Sequence, residues 1–343
     1  LFEMEAGAVS AYIGAEYREE KYLDRYDPQS EAGQVGGSAG NTAGGNRDVT
    51  SVFFEALVPF MDNLEMSVAG RYDDYSDFGN NFAPKVSFRY QPLDNLTLRA
   101  SWGQGFRAPT LDILTQKTSF SATSVRDPQS CVAQGQDPGC SLQINDFIQA
   151  NAELQPEDSD QFAIGLAYEP TDWFNFTADY WDINITNRIR SFGAQTIINN
   201  EINDRANPPG LYCDRAPSGS ITACYTGFGN EGTVDTSGVD LNFKFNYELF
   251  GGQVASNFQW SHLLDQSVDG NDDYVGFAGL PANRAVLWNT FSYGDWSLGY
   301  NINFIDGQDA TTSDAAVGSW VTHDLQFNYN APWDGRFSVG VRN

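Results

Sequence analysis

Hydrophobic and polar residues alternate with a period of two along most of the chain. Leu96, Leu98 and Trp102, for example, are apolar. Arg99 and Ser101 lie between them and are polar. Strands with one apolar and one polar face have this period. We predict strands at residues 8–22, 49–60, 63–74, 84–91, 95–106, 158–169, 173–187, 235–249, 253–264, 283–293, 295–306, 318–331 and 336–343.

The links between these strands are alternately short and long, and no segment of similar length has a helical period. The alternation has no exception, so we expect all the long loops to lie at one end of the sheet. The short links are Met61-Asp62, Pro92 to Asn95, Pro170 to Asp172, Leu249 to Gly252, Gly294-Asp295 and Pro332 to Gly335. The long links are 23–48, 75–83, 107–157, 188–234, 265–282 and 307–317.

Aromatic residues flank the short links. A ring of aromatic side chains at one level is typical of a lipid–water interface. A soluble β-sandwich or β-propeller would explain the alternation, but it gives no reason for aromatics at these positions. The predicted interface aromatics are Phe60, Tyr90, Tyr168, Trp173, Tyr247, Phe250, Tyr293, Trp296, Tyr329 and Trp333.

These patterns predict an all-β chain that forms a transmembrane antiparallel up-and-down β-barrel. No apolar run reaches the roughly 18 residues of a membrane helix, but barrel strands do not need one. Closed bacterial barrels have an even number of strands, whereas 13 are predicted here. The chain also starts at Leu1 and stops at Asn343 within an alternating run. We therefore expect a piece of a longer barrel protein.

The charge of the chain excludes one class of partner. The chain has 45 acidic and 19 basic residues among 343, with a net charge of -26. A protein that binds nucleic acid needs a basic surface to neutralise phosphates, and the sequence offers none. We therefore expect no nucleic-acid partner.

Four cysteines occur in two close pairs, Cys131 with Cys140 and Cys213 with Cys224. Both pairs lie in polar segments rich in Gly, Pro and Asp, and neither spacing matches a zinc or redox motif. Local disulfides formed in an oxidising compartment explain them better than free thiols.

Several stretches resemble the barrel of TonB-dependent outer-membrane receptors. The stretches are AGRYDDYSDFGNNFAPKVSFRYQP (69–92), LTLRASWGQGFRAPTLDIL (96–114), LQPEDSDQFAIGLAYEPTDWFNFTADYWDINITNRI (154–189), NEGTVDTSGVDLNFKFNYE (230–248) and DGRFSVGVRN (334–343). In that family an FRAP-type motif follows an upward strand and an L-x-P-E-x-S run opens the next. The resemblance covers nearly the whole chain.

The resemblance implies a 22-stranded barrel filled by an N-terminal plug, of which this chain would supply strands 9 to 21. The plug, the TonB box and the last strand would then lie outside this sequence. Residues 1–343 are expected to form one partial barrel domain. Its long extracellular loops are expected at about 23–48, 107–157, 188–234 and 265–282.

The implied function is TonB-energised uptake of a scarce ligand across the bacterial outer membrane. The ligand would be a ferric siderophore, another iron complex or an oligosaccharide. The implied partners are membrane lipid and lipopolysaccharide, and TonB through the plug region. Two alternatives stay open: a passive porin-like channel, and an outer-membrane enzyme or adhesin.

Five residues near the long loops are candidates for ligand contact: Arg107, Trp181, Tyr212, Tyr225 and Phe228. Arg107 lies where a strand leaves the membrane. It is either a rim arginine paired with loop carboxylates or a contact for an anionic ligand. The aromatic residues either pack against one another or against a ligand.

Other motifs carry less information. The Gly-rich segment 35–46 lacks the Lys-Ser/Thr of a phosphate-binding loop and is expected to be a flexible loop. The acidic runs 73–77 and 269–273 do not have EF-hand spacing, so solvated loops are expected rather than calcium sites. His262 and His323 lack a nearby Ser/Asp constellation. We therefore expect no enzyme activity, metal or cofactor.

Overall fold

In the residues described below, a computed structural model shows one large antiparallel sheet, a smaller sheet built by the loops and a two-stranded sheet near the start of the chain. The structure describes residues 3–32, 34–35, 42–270, 273–310 and 315–343. The strands are β1 (Glu3–Met4), β2 (Gly7–Ala8), β3 (Ser10–Asp24), β4 (Ala43–Met61), β5 (Leu64–Tyr75), β6 (Gly79–Leu93), β7 (Leu96–Arg107), β8 (Ser119–Val125), β9 (Leu142–Ile148), β10 (Glu157–Thr171), β11 (Phe174–Thr186), β12 (Ile189–Phe192), β13 (Tyr212–Arg215), β14 (Ile221–Asn230), β15 (Val234–Leu249), β16 (Gly252–Val268), β17 (Asn283–Tyr293), β18 (Trp296–Ile305), β19 (Trp320–Asn330) and β20 (Arg336–Arg342). The helices are α1 (Pro28–Glu31), α2 (Leu111–Thr115), α3 (Pro128–Ala133) and α4 (Ala194–Ile202). Within the described residues, no helix is long and apolar enough to cross a membrane.

The large sheet contains 13 strands that follow one another in chain order: β3 to β7, β10, β11 and β15 to β20. They are the strands that the alternation predicts, so the predicted fold class is confirmed. Some begin earlier than predicted: β4 starts at Ala43 and β6 at Gly79. Their first residues are mostly polar on both faces, so alternation could not reveal them. In the described residues, β3 and β20 each pair on one side only, and the sheet is open.

The connections follow the predicted rule with one exception. The link expected at 75–83 is not a long loop, because only residues 76–78 join β5 to β6. The two strands continue through this polar stretch, because Asp73 to Tyr75 of β5 pair with Gly79 to Asn81 of β6. The strict alternation of short and long links was therefore wrong here. The other long links are 25–42, 108–156, 187–233, 269–282 and 306–319, all at one end of the sheet.

The two faces of the large sheet differ in polarity, as the alternation predicts. We call the apolar face outer and the polar face inner. On the outer face, Leu98 and Ile164 are exposed. On the inner face, Arg99 of β7 lies opposite Gly165 of β10, which lies opposite Asp179 of β11.

The two longest links, expected as long loops, contain strands β8, β9, β12, β13 and β14 and helices α2, α3 and α4. Residues 119–148 and 189–230, which we call the loop unit, form a five-stranded sheet with the order β12, β14, β9, β8 and with β13 also paired to β14. Strands β9 and β14 come from different links and pair in parallel. Helix α4 covers one face of this sheet through Ala194, Ile197 and Ile198, which are buried. Most of the loop strands are short, and β14 pairs with β12 and β9 from distant parts of the chain, so a local pattern could not reveal them.

Candidate functional site

The loop unit lies at the long-loop end of the large sheet and is held together by contacts between its two segments. Asn145 to Ile148 of β9 pair with Ala223 to Thr226 of β14. The Thr226 hydroxyl donates to the Asp146 carboxylate at 2.6 Å. The two links therefore form one folded body rather than two independent loops.

Both expected disulfides are present. Cys131–Cys140 closes a short loop after α3, and Cys213–Cys224 joins neighbouring strands β13 and β14. Cys224 is fully buried in the hydrophobic core of the loop unit, beside Ile198 and other apolar residues. The second disulfide is thus part of that core.

A buried ion pair joins the two segments of the loop unit. The Arg215 guanidinium donates to the carboxylate of Asp127 at 2.7 Å, and Asp127 is 1% exposed. Burial raises the pKa of Asp127, but hydrogen bonds from Arg215 and Ser130 outweigh burial and hold that pKa below its usual 3.8. Arg215 also pairs with Glu201 of α4 at 3.0 Å. The pair links α3, β13 and α4.

Arg107, a predicted ligand contact, forms a two-point ion pair with Glu157. Its Nε and Nη2 atoms donate to the Glu157 carboxylate at 2.6 and 2.7 Å. Glu157 is buried and also accepts from the backbone N–H of Ile189 at 2.7 Å. The Arg107 side chain keeps 68% of its surface exposed. A contact between Arg107 and an anionic ligand stays a prediction.

Two of the aromatic candidates belong to a row of rings on the loop sheet. The Tyr212 and Tyr225 rings stack at 4.9 Å, and Phe147 stacks on Tyr225 at 5.5 Å. Phe120 continues the row at 5.6 Å from Phe147. Contact with a ligand through this row stays a prediction.

The other two aromatic candidates lie elsewhere. The Trp181 indole is on the inner face, packs over Gly238 and donates to Asp240 at 3.0 Å. It lines a cavity of about 180 Å³ with His262, Arg284 and residues 279–282. Phe228 is half-buried in β14, and its carbonyl oxygen accepts from Asn151 at 2.9 Å. The candidates therefore do not form a single cluster, and their ligand contacts stay predictions.

The sequence did not reveal a pair of charges that spans three strands of the inner face. Arg99 of β7 donates to Asp179 of β11 at 2.8 and 2.5 Å, although β10 lies between the two strands. The contact passes over Gly165, where a Cβ atom would overlap the Asp179 carboxylate. A glycine opposite two charged residues becomes a recognisable signal only once the strand register is known.

Arg47 was also missed in the sequence. It lies on the inner face of β4 and is buried. Its guanidinium donates to the carbonyl oxygen of Pro109, in the segment that follows the GFRAP motif, at 2.7 Å. The motif is therefore bound to a strand far from the one it ends.

The predicted interface aromatics lie next to the short links. Trp173 is in the link between β10 and β11, and Trp333 is in the link between β19 and β20. Trp296 stacks on Tyr329 at 4.1 Å and lies opposite Tyr293. Their place at a lipid–water interface stays a prediction, as it does for Phe60, Tyr90, Tyr168, Tyr247 and Phe250.

The acidic runs and the histidines make contacts within the chain. Asp73 accepts from Arg71 at 2.9 Å. The run 269–273 lies partly outside the described residues, as does the Gly-rich segment 35–46, whose last residues belong to β4. His262 bonds to Asn283 and His323 to Tyr300, both at 2.9 Å. Across the described chain, no group of three or more potential ligands could hold a metal ion.

Comparisons with known proteins identify the family. The family model described as TonB dependent receptor-like, beta-barrel matches residues 2–343. The ferric enterobactin receptor of Pseudomonas aeruginosa is 28% identical over 174 residues, which are 48% of this chain and 22% of that protein. The ferrienterobactin receptor of Escherichia coli is 26% identical over 126 residues, which are 37% of this chain and 15% of that protein.

Solved structures share the fold. The siderophore receptor PirA from Acinetobacter baumannii superposes with a TM-score of 0.71 at 15% identity, over 99% of this chain and 48% of that one. The outer membrane transporter YddB from Escherichia coli has a TM-score of 0.66 at 13% identity, over 100% of this chain and 48% of that one. The chain thus spans about half the length of these solved structures and less of the curated relatives. It belongs to the TonB-dependent receptor-like β-barrel family.

Proposed function

We propose that the protein is a receptor for TonB-energised uptake of a ferric siderophore across the bacterial outer membrane. The observation that carries the ligand class is that the curated relatives it matches are named as siderophore receptors, most of them for ferric enterobactin. The architecture agrees with this function, because a folded loop unit lies at one end of a sheet with a polar inner face.

The partners of the proposed receptor follow from its two faces. The outer face carries exposed apolar side chains and would contact membrane lipid and lipopolysaccharide. TonB would supply the energy for uptake, and we assign no residue of this chain to that contact. The proposed activity is binding and transport without chemical conversion, so the protein would not be an enzyme.

Uptake of radioactive iron tests the proposal. The full protein is expressed in a Gram-negative host that lacks its own siderophore receptors, with and without TonB. Ferric enterobactin, a ferric hydroxamate and a labelled oligosaccharide serve as probes. We expect saturable uptake of ferric enterobactin that disappears without TonB.

The other outcomes would each contradict a part of the proposal. Uptake that persists without TonB and does not saturate would indicate a passive channel. Uptake of the oligosaccharide alone would contradict the siderophore class. No binding or uptake of any probe would contradict the receptor function.

A further inference from the structure

The chain does not leave the sheet where β7 ends, but returns along the inner face. We call residues 108–118 the strap. Helix α2 lies within the strap and packs against β3 and β4, although β4 is separated from β7 by β5 and β6. The strap therefore crosses from one part of the barrel wall to another at the long-loop end.

Three contacts hold the strap against β4 and against Thr42, which directly precedes β4. Arg47 donates to the Pro109 carbonyl oxygen at 2.7 Å, and Pro109 is fully buried. The Lys117 backbone N–H donates to the Thr42 carbonyl oxygen at 2.9 Å. The Thr115 side chain packs on Gly45, where a Cβ atom would come within 2.8 Å of its methyl carbon. A glycine is needed there for this close approach.

Arg47 is suited to hold and release the strap, because its charge is compensated by carboxylates that do not belong to the strap. It pairs with Glu20 at 2.7 Å and with Asp77 at 3.4 Å. Its guanidinium also lies 5.1 Å from the centre of the Tyr75 ring. When the strap leaves, Arg47 loses one hydrogen bond but keeps its ion pairs, so no unpaired charge remains buried.

The strap is also bound to the chain segment that returns from the loop unit. The Gln116 side chain donates to the Gln149 carbonyl oxygen at 3.1 Å. The Asn151 backbone N–H donates to the Ile113 carbonyl oxygen at 3.0 Å. Gln149 in turn donates through its backbone N–H to Thr226 of β14. Movement of the strap would therefore be transmitted to the loop unit.

We propose that Arg47 is a positioning residue that latches the strap on the inner wall, and that release of the strap opens a path for the ligand. The latched strap occupies inner-face space at the long-loop end, where a ligand would enter. The passage of ligand rests on the proposed function, whereas the latch itself rests on the contacts above.

Hydrogen exchange of the full protein in detergent tests the latch without any ligand. Arg47→Met should raise exchange about tenfold at the strap amides of Leu114, Gln116 and Lys117. Exchange in the β17–β18 pairing, which lies far along the sheet from β3 and β4, should stay unchanged. Arg47→Lys keeps the positive charge and a hydrogen-bond donor. It should therefore retain most of the protection of the strap amides from exchange.

Arg18→Met is the matched control for this experiment. Arg18 belongs to the same charged cluster, but its hydrogen bonds go to Glu16, Glu20 and Tyr75. The Arg18→Met variant should leave hydrogen exchange in the strap unchanged. Equal exchange in Arg47→Met and wild type, or an equal rise in both variants, would overturn the latch.

A reversible cross-link tests whether the strap must move. A Cβ atom built on Gly45 lies 3.7 Å from the Thr115 Cβ, a separation typical of disulfides. The double variant Gly45→Cys with Thr115→Cys should therefore lock the strap. All four native cysteines are already paired, so they do not compete. Mass mapping of unreduced peptides verifies the new bond.

The locked variant should take up ferric enterobactin about tenfold more slowly than the Thr115→Cys single variant, which keeps Gly45 and should stay near wild type. Equal uptake in the locked variant would refute the need for strap release. Absence of uptake in the wild type would contradict the proposed function, and hydrogen exchange alone would then decide whether Arg47 latches the strap.

Discussion

At the residue scale, a glycine determines whether two charges can meet on the inner face. Gly165 lies between Arg99 and Asp179, and a side chain there would displace the Asp179 carboxylate. Arg99 is half exposed, so its ion pair adds little by itself in solvent. The close packing over Gly165 is therefore expected to matter more than the charge attraction.

Gly165→Ala should destabilise the assembled barrel by about 1–3 kcal/mol, the usual cost of overpacking. The measurement is the temperature at which half of the full protein loses its compact, folded form, seen as a separate band on a detergent gel. Gly299→Ala is the control, since its nearest neighbours on the inner face would be 3.8 Å away. A shift of the same size in both variants would contradict the explanation.

The buried pair of Asp127 and Arg215 predicts a pH dependence of the loop unit. The Asp127 pKa is lowered by the fold, so its contribution to stability is complete above the unfolded value of 3.8. It is lost as the pH falls through the lower, folded pKa. Protection of the loop unit from proteolysis should therefore decrease only below about pH 4.

Arg215→Met should destabilise the loop unit by about 3–5 kcal/mol at neutral pH, because Asp127 is left buried without its cation. Limited proteolysis of residues 119–148 and 189–230 measures the effect. Arg126→Met removes the same charge from an exposed neighbour and should have little effect. Similar cleavage of both variants would contradict the role of the pair.

At the scale of elements, the short loop strands depend on one another. β13 has only four residues and is joined to β14 by a disulfide that also lies in the core. An isolated pair of such strands would be unstable in water. The loop unit therefore exists because two distant links pair in parallel and share helix α4.

Removal of the two disulfides should have different consequences. Cys213→Ser with Cys224→Ser should raise hydrogen exchange throughout β13, β14 and α4, because a core contact and a cross-strand bond are both lost. The expected loss is about 2–4 kcal/mol in the loop unit. Cys131→Ser with Cys140→Ser should affect mainly residues 128–140. If hydrogen exchange rose in the same residues in both double variants, the expected difference would be refuted.

At the scale of the whole molecule, the two faces of the sheet serve different environments. The family places the chain in the bacterial outer membrane, as the sequence predicts. Exposed apolar side chains on the outer face are what a lipid-facing surface requires. The Arg99 and Asp179 pair lies on the inner face, away from lipid.

Leu98→Lys should impair assembly of the barrel, because it places a Lys on the lipid face, where the cost reaches about 2–4 kcal/mol at the midplane and is smaller towards the interface, where Leu98 pairs with Tyr90. Ser101→Lys changes the inner face of the same strand and should be tolerated. The folded fraction in outer-membrane preparations measures both. Equal folded fractions would mean that the faces of β7 are assigned wrongly.

The sequence by itself determined the strands, the short links and the two faces of the large sheet. These features are local, since a period of two and turn residues can be read from neighbouring positions. The same local reading failed at 75–83, where β6 begins at Gly79 although its first residues are glycine and asparagine and show no alternation. Polarity alone could not distinguish a long loop from an inner-face strand.

Only the tertiary structure decided which distant residues meet. Arg47 reaches Pro109, Arg215 reaches Asp127, and β9 pairs with β14. Each contact joins segments far apart in the chain, and their partners depend on strand register and on how the links fold back. Neither register nor the path of a long link leaves a periodic trace in the sequence, so the loop unit and the strap became visible only in three dimensions.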